Sequence, residues 1–420
     1  ECRMRKKSIL WTLAALLMFS VVLAGCSGGS EKADGGSAGG EGKKELKVWL
    51  MGDTSDETLI KEYEEKNPGV KVSVQLIPWG SAHDKLLTAV ASKSGPDVVQ
   101  MGTTWIPEFA QAGALLDLTP YLEQYPNLKQ ENYFDGAVQT MSYDGKVVSI
   151  PWYVETRVLF YRTDILAEVG YPEGPKTWDE MKDAGKKLAA RGDGNYAITV
   201  DAKDMNYLSM FAWQNGSDMI DENRTPHFNE PEFMGAMEYL KSFYDTGMTP
   251  LASDLDLFAA FKDGQFPMFI SGPWMIQGVK DKAPEIEGKW ATTTLPAKEN
   301  NASFLGGANM SVFNTTENAD EAVKFISFMS EKESQLTNYD VAKNLPAVKS
   351  AWEDQRFEDP IFATFGKQLE SAKPVPFIKE WDAISQEAIA AFEKITLGGA
   401  DIKAEMDLLN QKATEILNKK

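Results

Sequence analysis

PWYVETRVLFYRTD, residues 151–164, is the stretch that decides how this chain folds. Its first half begins with proline, is aromatic and carries Glu155. Its second half, from Val158 to Tyr161, is a short run of apolar β-branched and aromatic residues, which is typical of a buried strand. The segments on either side each have the pattern of an α/β unit. We therefore expect this stretch to end one lobe, begin the next and act as a hinge.

The composition narrows the possible classes of protein. The 420 residues allow two or three domains, and 43% hydrophobic residues is ordinary for a globular protein. The net charge of −19 argues against binding to nucleic acid or to an anionic lipid surface. Two cysteines and two widely separated histidines argue against a disulfide framework, a zinc site and histidine-dependent nucleophilic catalysis. We expect neither a metal nor a cofactor.

Residues 4–26 have the pattern of a targeting segment. Basic residues at 5–7 precede an apolar run at 9–22, and Leu23-Ala24-Gly25-Cys26 follows. This tetrapeptide resembles the bacterial lipobox, so we expect Cys26 to be lipidated and to anchor the protein in the membrane. The alternative is a plain signal peptide or anchor helix. Residues 27–44 are rich in Gly and Ser and predict a flexible tether, with the folded part beginning near Glu45.

The next segment alternates strands and helices. We predict strands at residues 46–50, 70–76 and 96–101, with a helix between each pair. This order predicts an open, mostly parallel sheet with right-handed crossovers. Ligands bind such sheets at the carboxyl ends of the strands. The loops that follow the three strands, 51–53, 78–81 and 102–105, each combine Gly with polar or aromatic residues, so we predict a site at this edge.

A second α/β unit follows the hinge stretch, with strands predicted at residues 196–200, 266–270 and 290–295. Two later stretches, 304–313 and 344–347, are further candidate crossings between the lobes. The chain is predicted to end in helices at 381–395 and 402–417. We therefore expect two α/β lobes, each an open and mostly parallel sheet flanked by helices, joined by three crossings. The predicted lobes are residues 45–152 with 309–345, and residues 155–306 with 350–420.

Aromatic and charged residues cluster in the predicted strand-end loops and crossings. An indole can cover the apolar C–H face of a sugar ring, while carboxylates accept hydrogen bonds from its hydroxyl groups. This combination favours a carbohydrate-binding cleft. The alternative role of each tryptophan is core packing, and Arg157 could instead form an ion pair with a neighbouring carboxylate. The residues concerned are Trp79, Trp105, Trp152, Tyr153, Trp213 and Trp274, with Asp53, Glu155, Arg157 and Asn309.

The mature chain resembles the maltose-binding-protein-like solute-binding proteins of carbohydrate ABC importers. The resemblance rests on residues 46–50, 112–119, 151–164, 267–274 (PMFISGPW) and 306–309 (GGAN). It implies two lobes that close over a sugar, with Trp274 stacking on a ring and Glu155 and the strand-end loops binding hydroxyl groups. The predicted ligand-binding residues are Asp53, Trp79, His83, Thr104, Trp105, Tyr153, Glu155, Arg157, Trp213, Asn215, Trp274, Gly307, Ala308 and Asn309.

The resemblance also implies a function. We expect a monomeric, non-enzymatic subunit on the extracellular face of the membrane, held there by a lipid anchor of the Gram-positive type. It would capture a neutral sugar, in our interpretation an oligosaccharide, and deliver it to an ABC permease. Two alternatives stay open at this point. One is a secreted glycoside hydrolase, since tryptophans and paired carboxylates also serve there. The other is a binding protein for a non-sugar solute such as a peptide, a polyamine or a metal.

Overall fold

The computed structural model describes residues 43–52 and 57–419. The predicted targeting segment with Cys26, nearly all of the predicted tether and the candidate Asp53 lie outside the described residues. The first strand begins at Lys44, one residue before the predicted start of the folded part. Within the described ranges, no helix has the length and apolar character needed to cross a membrane.

Among the described residues, four strands have seven to ten residues and the others have five or fewer. They are β1 Lys44–Met51, β2 Val70–Ile77, β3 Val98–Gly102, β4 Ser142–Tyr143, β5 Lys146–Val147, β6 Ile150–Thr156, β7 Val158–Arg162, β8 Ile198–Thr199, β9 Met268–Ser271, β10 Trp290–Thr293, β11 Ser303–Val312, β12 Leu345–Pro346 and β13 Ala372–Lys373.

The helices fill the connections between strands and form the C-terminal part. They are α1 Glu57–Lys66, α2 Trp79–Ser92, α3 Ile106–Gln111, α4 Asp135–Val138, α5 Thr163–Glu168, α6 Trp178–Ala189, α7 Met205–Gln214, α8 Pro231–Asp245, α9 Leu257–Lys262, α10 Trp274–Lys282, α11 Ala319–Met329, α12 Lys332–Ala342, α13 Pro360–Leu369, α14 Trp381–Thr396 and α15 Ile402–Leu417.

The first sheet has the strand order β12-β6-β11-β3-β1-β2, and β13 pairs with the start of β11. β1 runs parallel to β2 along its whole length and parallel to β3 on its other side. Its residues Leu46 and Val48 are fully buried and alternate with more exposed positions, as period-2 patterning predicts. The predicted β-α-β-α-β order of this segment is confirmed.

The second sheet has the strand order β10-β7-β9-β8. β7 is its central strand, antiparallel to both β10 and β9, and all five of its residues are buried. The helices α6, α7, α8, α14 and α15 contribute most of a hydrophobic core on this side of the molecule. The expected two-lobed α/β fold is therefore confirmed.

The expectation of mostly parallel sheets is wrong. The parallel pairs are β1–β2, β1–β3, β8–β9 and β11–β13, whereas β11 is antiparallel to both β3 and β6, and β7 is antiparallel to both of its neighbours. The physical reason is that the chain leaves the first sheet, builds the second and then returns. β11 arrives from the opposite direction and inserts between β6 and β3, a pairing that local connections cannot predict.

The first passage between the sheets is a single residue, Arg157, between β6 and β7. Ser303, the first residue of β11, fixes this passage: its hydroxyl donates to the Arg157 carbonyl at 2.7 Å and accepts from the Arg157 amide at 3.3 Å. The return passage lies between β10 and β11, and the third follows β12. The first and second passages are thus hydrogen-bonded to each other where the sheets meet.

Gly307 allows β11 to approach β6 closely. Its φ of +122° belongs to a region that L side chains rarely adopt, and a Cβ there would lie 2.2 Å from the Tyr153 carbonyl oxygen. A register shift follows directly, between Ala308 and Asn309. Any side chain at residue 307 would therefore push β6 and β11 apart.

We expect Gly307→Ala to lower the free energy of unfolding by about 3 kcal/mol or more, because strain in φ adds to a backbone clash. The matched control is Gly113→Ala, where φ is +69° but no atom lies within 4 Å of the added Cβ. This control should lose only about 1 kcal/mol. Urea unfolding followed by circular dichroism gives both values, and equal losses would contradict the close approach at Gly307.

Candidate functional site

β6 presents three functional side chains on one face. Tyr153, Glu155 and Arg157 are half-buried, while the residues that alternate with them are buried. This is the two-residue period of a strand, continued through the single residue that leads into β7. The hinge stretch therefore carries a tyrosine, a carboxylate and a guanidinium in a row from the first sheet to the second.

A pocket of about 170 Å³ lies beside the first of these side chains. It opens where β1 ends and where α2 begins after β2, which is the sheet edge that the sequence predicted. Its wall combines apolar and aromatic groups with a few amides, as small-molecule pockets do. The lining residues are Leu50, Met51, Gly52, Ile60, Trp79, Gln100, Trp152, Tyr153, Met329, Asn338, Val341, Ala342 and Asn344.

Trp79 and Trp105 come together from two of the predicted loops. Their ring centroids lie 5.5 Å apart at an angle of 58°, and Trp79 is 39% exposed. His83 also contacts Trp105, with ring centroids 5.4 Å apart, and its Nε2 is 2.7 Å from the Glu108 carboxylate. Thr104 is exposed in the turn between β3 and α3. The prediction that these loops share one edge is confirmed by the geometry.

Several charged side chains lie further along the hinge face, near Trp274. The Arg157 Cζ atom is 4.6 Å from the centre of the Trp274 ring, and Trp274 is 47% exposed at the start of α10. The Glu155 side chain lies against Gly306, where a Cβ would be 2.7 Å from its Oε1. Burial raises the pKa of the Glu155 carboxyl; the Arg157 charge opposes this rise and Asp204 adds to it.

Tyr153 connects the pocket to this charged group. It lines the pocket, and burial and the Glu155 charge raise the pKa of its hydroxyl, while a side-chain hydrogen bond with Gln100 works against the rise. Its hydroxyl is therefore neutral at physiological pH and can both donate and accept hydrogen bonds. The arrangement supplies aromatic faces, amides and one half-buried carboxylate, which suit a polyhydroxylated and uncharged ligand.

The residues of the second crossing that were predicted to bind the ligand lie in a different environment from the one predicted. Asn309 is 1% exposed, and its Nδ2 donates to the Thr140 hydroxyl and the Ser149 hydroxyl, both at 2.9 Å. Ala308 is fully buried between β3 and β6. Gly307 is half-buried against β6. The structure thus assigns Asn309 and Ala308 to the core, because satisfying a buried amide takes precedence over exposing it.

Trp213 and Asn215 are also separated from the pocket. Trp213 is 3% exposed and belongs to the core of the second lobe. The Asn215 Nδ2 donates to the Glu232 carbonyl at 2.6 Å, so this side chain joins the end of α7 to α8. Neither residue lines the pocket at Trp79 and Tyr153, but Trp213 lines a second pocket together with Val375 and Phe377.

Sequence reasoning missed several residues of the site. Gln100 in β3 and Asn338 in α12 are nearly buried, yet both line the pocket. Asp204 caps α7 through a hydrogen bond to the Asn206 amide at 2.9 Å and influences Glu155. Phe377 follows β13 and packs against the cluster of the first lobe that also contacts Trp105. Of these residues, only Gln100 had a recognisable signal in the sequence, because it lies two residues before the end of β3.

The site has no grouping of metal ligands in the part of the chain that the structure describes. No three His, Cys, Asp or Glu side chains there are placed so that they could hold a metal ion. The polar groups that line the pocket are amides and a phenol, and these bind through hydrogen bonds.

The raised pKa of Glu155 predicts a pH-dependent stability. Because the folded-state pKa lies above the unfolded value, the folded protein holds this proton more tightly. The resulting stability is present below the unfolded pKa and is lost as the pH rises through the folded pKa. Glu155→Gln cannot ionise, so we expect it to gain stability relative to the parent protein as the pH rises above the ordinary pKa of a glutamate, about 4.3.

Urea unfolding at a series of pH values measures this gain. Glu62→Gln is the matched control, since Glu62 is an exposed carboxylate on α1. We expect the difference between Glu62→Gln and the parent protein to stay nearly constant over the same range. A Glu155→Gln difference that is equally constant would contradict the burial argument.

The chain matches known proteins along most of its length. Residues 51–336 match the family described as bacterial extracellular solute-binding protein. The arabinooligosaccharide-binding protein of Bacillus subtilis is 27% identical over 346 residues, covering 78% of this chain and 77% of that protein. The diacetylchitobiose binding protein DasA of Streptomyces coelicolor is 27% identical over 405 residues, covering 91% of this chain and 92% of that protein.

Solved structures share the whole two-lobed architecture. The sugar-binding protein MalE of Xanthomonas citri matches with a TM-score of 0.85 and 32% identity, covering 89% of this chain and 97% of that one. The GacH receptor of Streptomyces glaucescens, solved unliganded and with acarbose, matches with a TM-score of 0.73 and 25% identity over 90% of this chain and 99% of that one. With the family match extending over more than half of its residues, the chain belongs to the bacterial extracellular solute-binding proteins.

Proposed function

We propose that this chain is the substrate-binding subunit of an ABC importer and that it captures a neutral oligosaccharide between its two lobes. The observation that carries the proposal is the hinge face of β6, where Tyr153, Glu155 and Arg157 connect an aromatic, amide-lined pocket to the exposed Trp274. Two relatives named above are described as binding proteins for arabinooligosaccharide and diacetylchitobiose, which supports the same ligand class.

The ligand is uncharged because of the balance of charge around the site. Arg157 contributes a positive charge beside Trp274, and both Arg157 and Asp204 act on the carboxyl group of Glu155. An anionic sugar would meet these carboxylates, and the net charge of −19 would oppose its approach. Sugar hydroxyl groups, by contrast, can donate to Glu155 and pair with the pocket amides.

The mechanism is a shift between open and closed arrangements of the lobes. A sugar that touches the pocket of the first lobe and Trp274 of the second binds the closed arrangement more tightly than the open one. The closed form would then dock on the permease and release the sugar. In this proposal the lobes are residues 45–152 with 309–345, and residues 155–306 with 350–420.

The location of the protein follows from the same proposal. The family is extracellular by description. A lipid on Cys26 and a flexible tether at residues 27–44 would keep a monomeric binding protein close to its permease on the outer face of the membrane. A hydrolase would need a second free carboxylate, whereas Asp204 is engaged in capping α7.

Calorimetric titration of residues 43–420 with neutral oligosaccharides, monosaccharides, peptides and polyamines tests the function. We expect one class of oligosaccharide to bind with micromolar or tighter affinity. Trp79→Ala and Trp274→Ala should each weaken this binding by about 10-fold or more, since stacking on an indole contributes on the order of 1 kcal/mol beyond area burial.

Two controls accompany the titration. Trp274→Phe keeps an aromatic face and should retain much of the affinity that Trp274→Ala loses. Trp352→Phe alters an indole that packs against Phe134 and Phe357, outside the site, and should leave affinity unchanged. Heat from peptides or polyamines alone, or sugar cleavage during incubation, would overturn the proposal.

A further inference from the structure

The Trp274 side chain is exposed to solvent, yet a guanidinium covers its ring. The indole is 47% exposed, yet the guanidinium of Arg157 lies over it with its Cζ only 4.6 Å from the ring centre. The six-membered ring also lies directly against Gly272, where an added Cβ would be 2.0 Å from the ring carbon Cζ3. A sugar that stacks on Trp274 would therefore meet the guanidinium at the face it needs.

We propose that Arg157 is a gate over Trp274: its guanidinium occupies the indole face in the unliganded protein and leaves that face when the ligand binds. This inference rests on the proposed function, because it assigns a specificity-determining role within the same sugar site. Cations bind the face of an indole through its electron-rich π system, and a sugar C–H face uses the same surface. The two therefore compete.

The hydrogen bonds of Arg157 suit a side chain that can move away from the Trp274 indole. Its Nε is buried and has no hydrogen-bond partner among the described residues, so within this part of the chain the stacked arrangement leaves one donor unsatisfied. Its backbone is held by the Ser303 hydroxyl through both its amide and its carbonyl. The main chain is thus fixed by hydrogen bonds, while the guanidinium at the end of the side chain contacts the indole face.

Glu155 offers the guanidinium a second position. It lies two residues earlier on the same face of β6, and the Arg157 charge acts on its carboxyl group. A guanidinium that leaves the indole can move toward this half-buried carboxylate, where a charge-assisted hydrogen bond would satisfy both groups. Ligand binding would then exchange a cation–π contact for an ion pair beside the sugar.

The test measures the ligand affinity of each variant at one fixed pH. We expect Arg157→Ala to tighten binding of the oligosaccharide found above by about two- to five-fold, since it removes a competing cation–π contact. In a Trp274→Ala background, Arg157→Ala should give no gain. If Arg157→Ala weakens binding equally in both backgrounds, Arg157 contacts the sugar directly and the gate is wrong.

A sugar-independent measurement separates this proposal from the proposed function. In the unliganded protein, Arg157→Ala should increase acrylamide quenching of tryptophan fluorescence, and the increase should vanish in a Trp274→Phe background. If no oligosaccharide binds to any variant, the proposed function fails, and the quenching result alone decides whether Arg157 covers the indole. Unchanged quenching would overturn the gate.

Lys85→Ala is the matched control for the affinity measurement. The Lys85 ammonium lies 4.8 Å from the centre of the Trp49 ring, so this variant also removes a cation from an indole. Neither residue lines the pocket. Ligand affinity should not change in Lys85→Ala, and a gain equal to that of Arg157→Ala would mean that the effect is one of overall charge.

Discussion

The close approach of two backbones, β6 and β11, is the constraint on which the rest of the molecule depends. Gly306 faces Glu155 and Gly307 faces Val154 across this pairing, and no side chain separates the strands there. Ser303 adds hydrogen bonds to the single residue between β6 and β7. As a result, one continuous strand face carries Tyr153, Glu155 and Arg157 from the first sheet to the second.

This geometry divides the site into two chemically different halves. The half on the first sheet is a pocket with aromatic and amide walls, and the half near the second sheet is an exposed indole with a small group of charges. Only a ligand that spans both halves gains from bringing the lobes together, since contacts to one lobe alone do not distinguish the open from the closed arrangement. In the proposed function, this division of polar groups between the lobes is the physical basis for capture by closure.

The errors of the sequence analysis have a common cause. Asn309 follows two glycines in a crossing strand, which is where a ligand-binding amide would be expected. Its side-chain amide instead donates hydrogen bonds to Thr140 and Ser149, which lie more than 150 positions earlier in the chain. Its neighbour Ala308 is likewise buried between β3 and β6. Burial that arises from distant segments leaves no local pattern in the sequence.

The residues missed by the sequence analysis lack a local signal for the same reason. Asn338 is one amide on an otherwise ordinary helix, and Phe377 is an aromatic residue in a loop between β13 and α14. Asp204 has the pattern of a helix cap and is one, and its effect on Glu155 depends on how α7 is placed beside β6. Each of these roles is created by packing between segments.

The sequence by itself determined the elements and the edge at which they meet: the alternating strands and helices of the first unit, the hinge stretch, and the strand-end loops with Trp79, Thr104 and Trp105. These follow from local periodicity and from the rule that parallel strands share a carboxyl edge. The tertiary structure alone decided that β11 inserts in reverse between β3 and β6, that Asn309 is core, and that Arg157 covers Trp274. Those outcomes depend on hydrogen-bond satisfaction and contact between residues far apart in the chain, which no local pattern encodes.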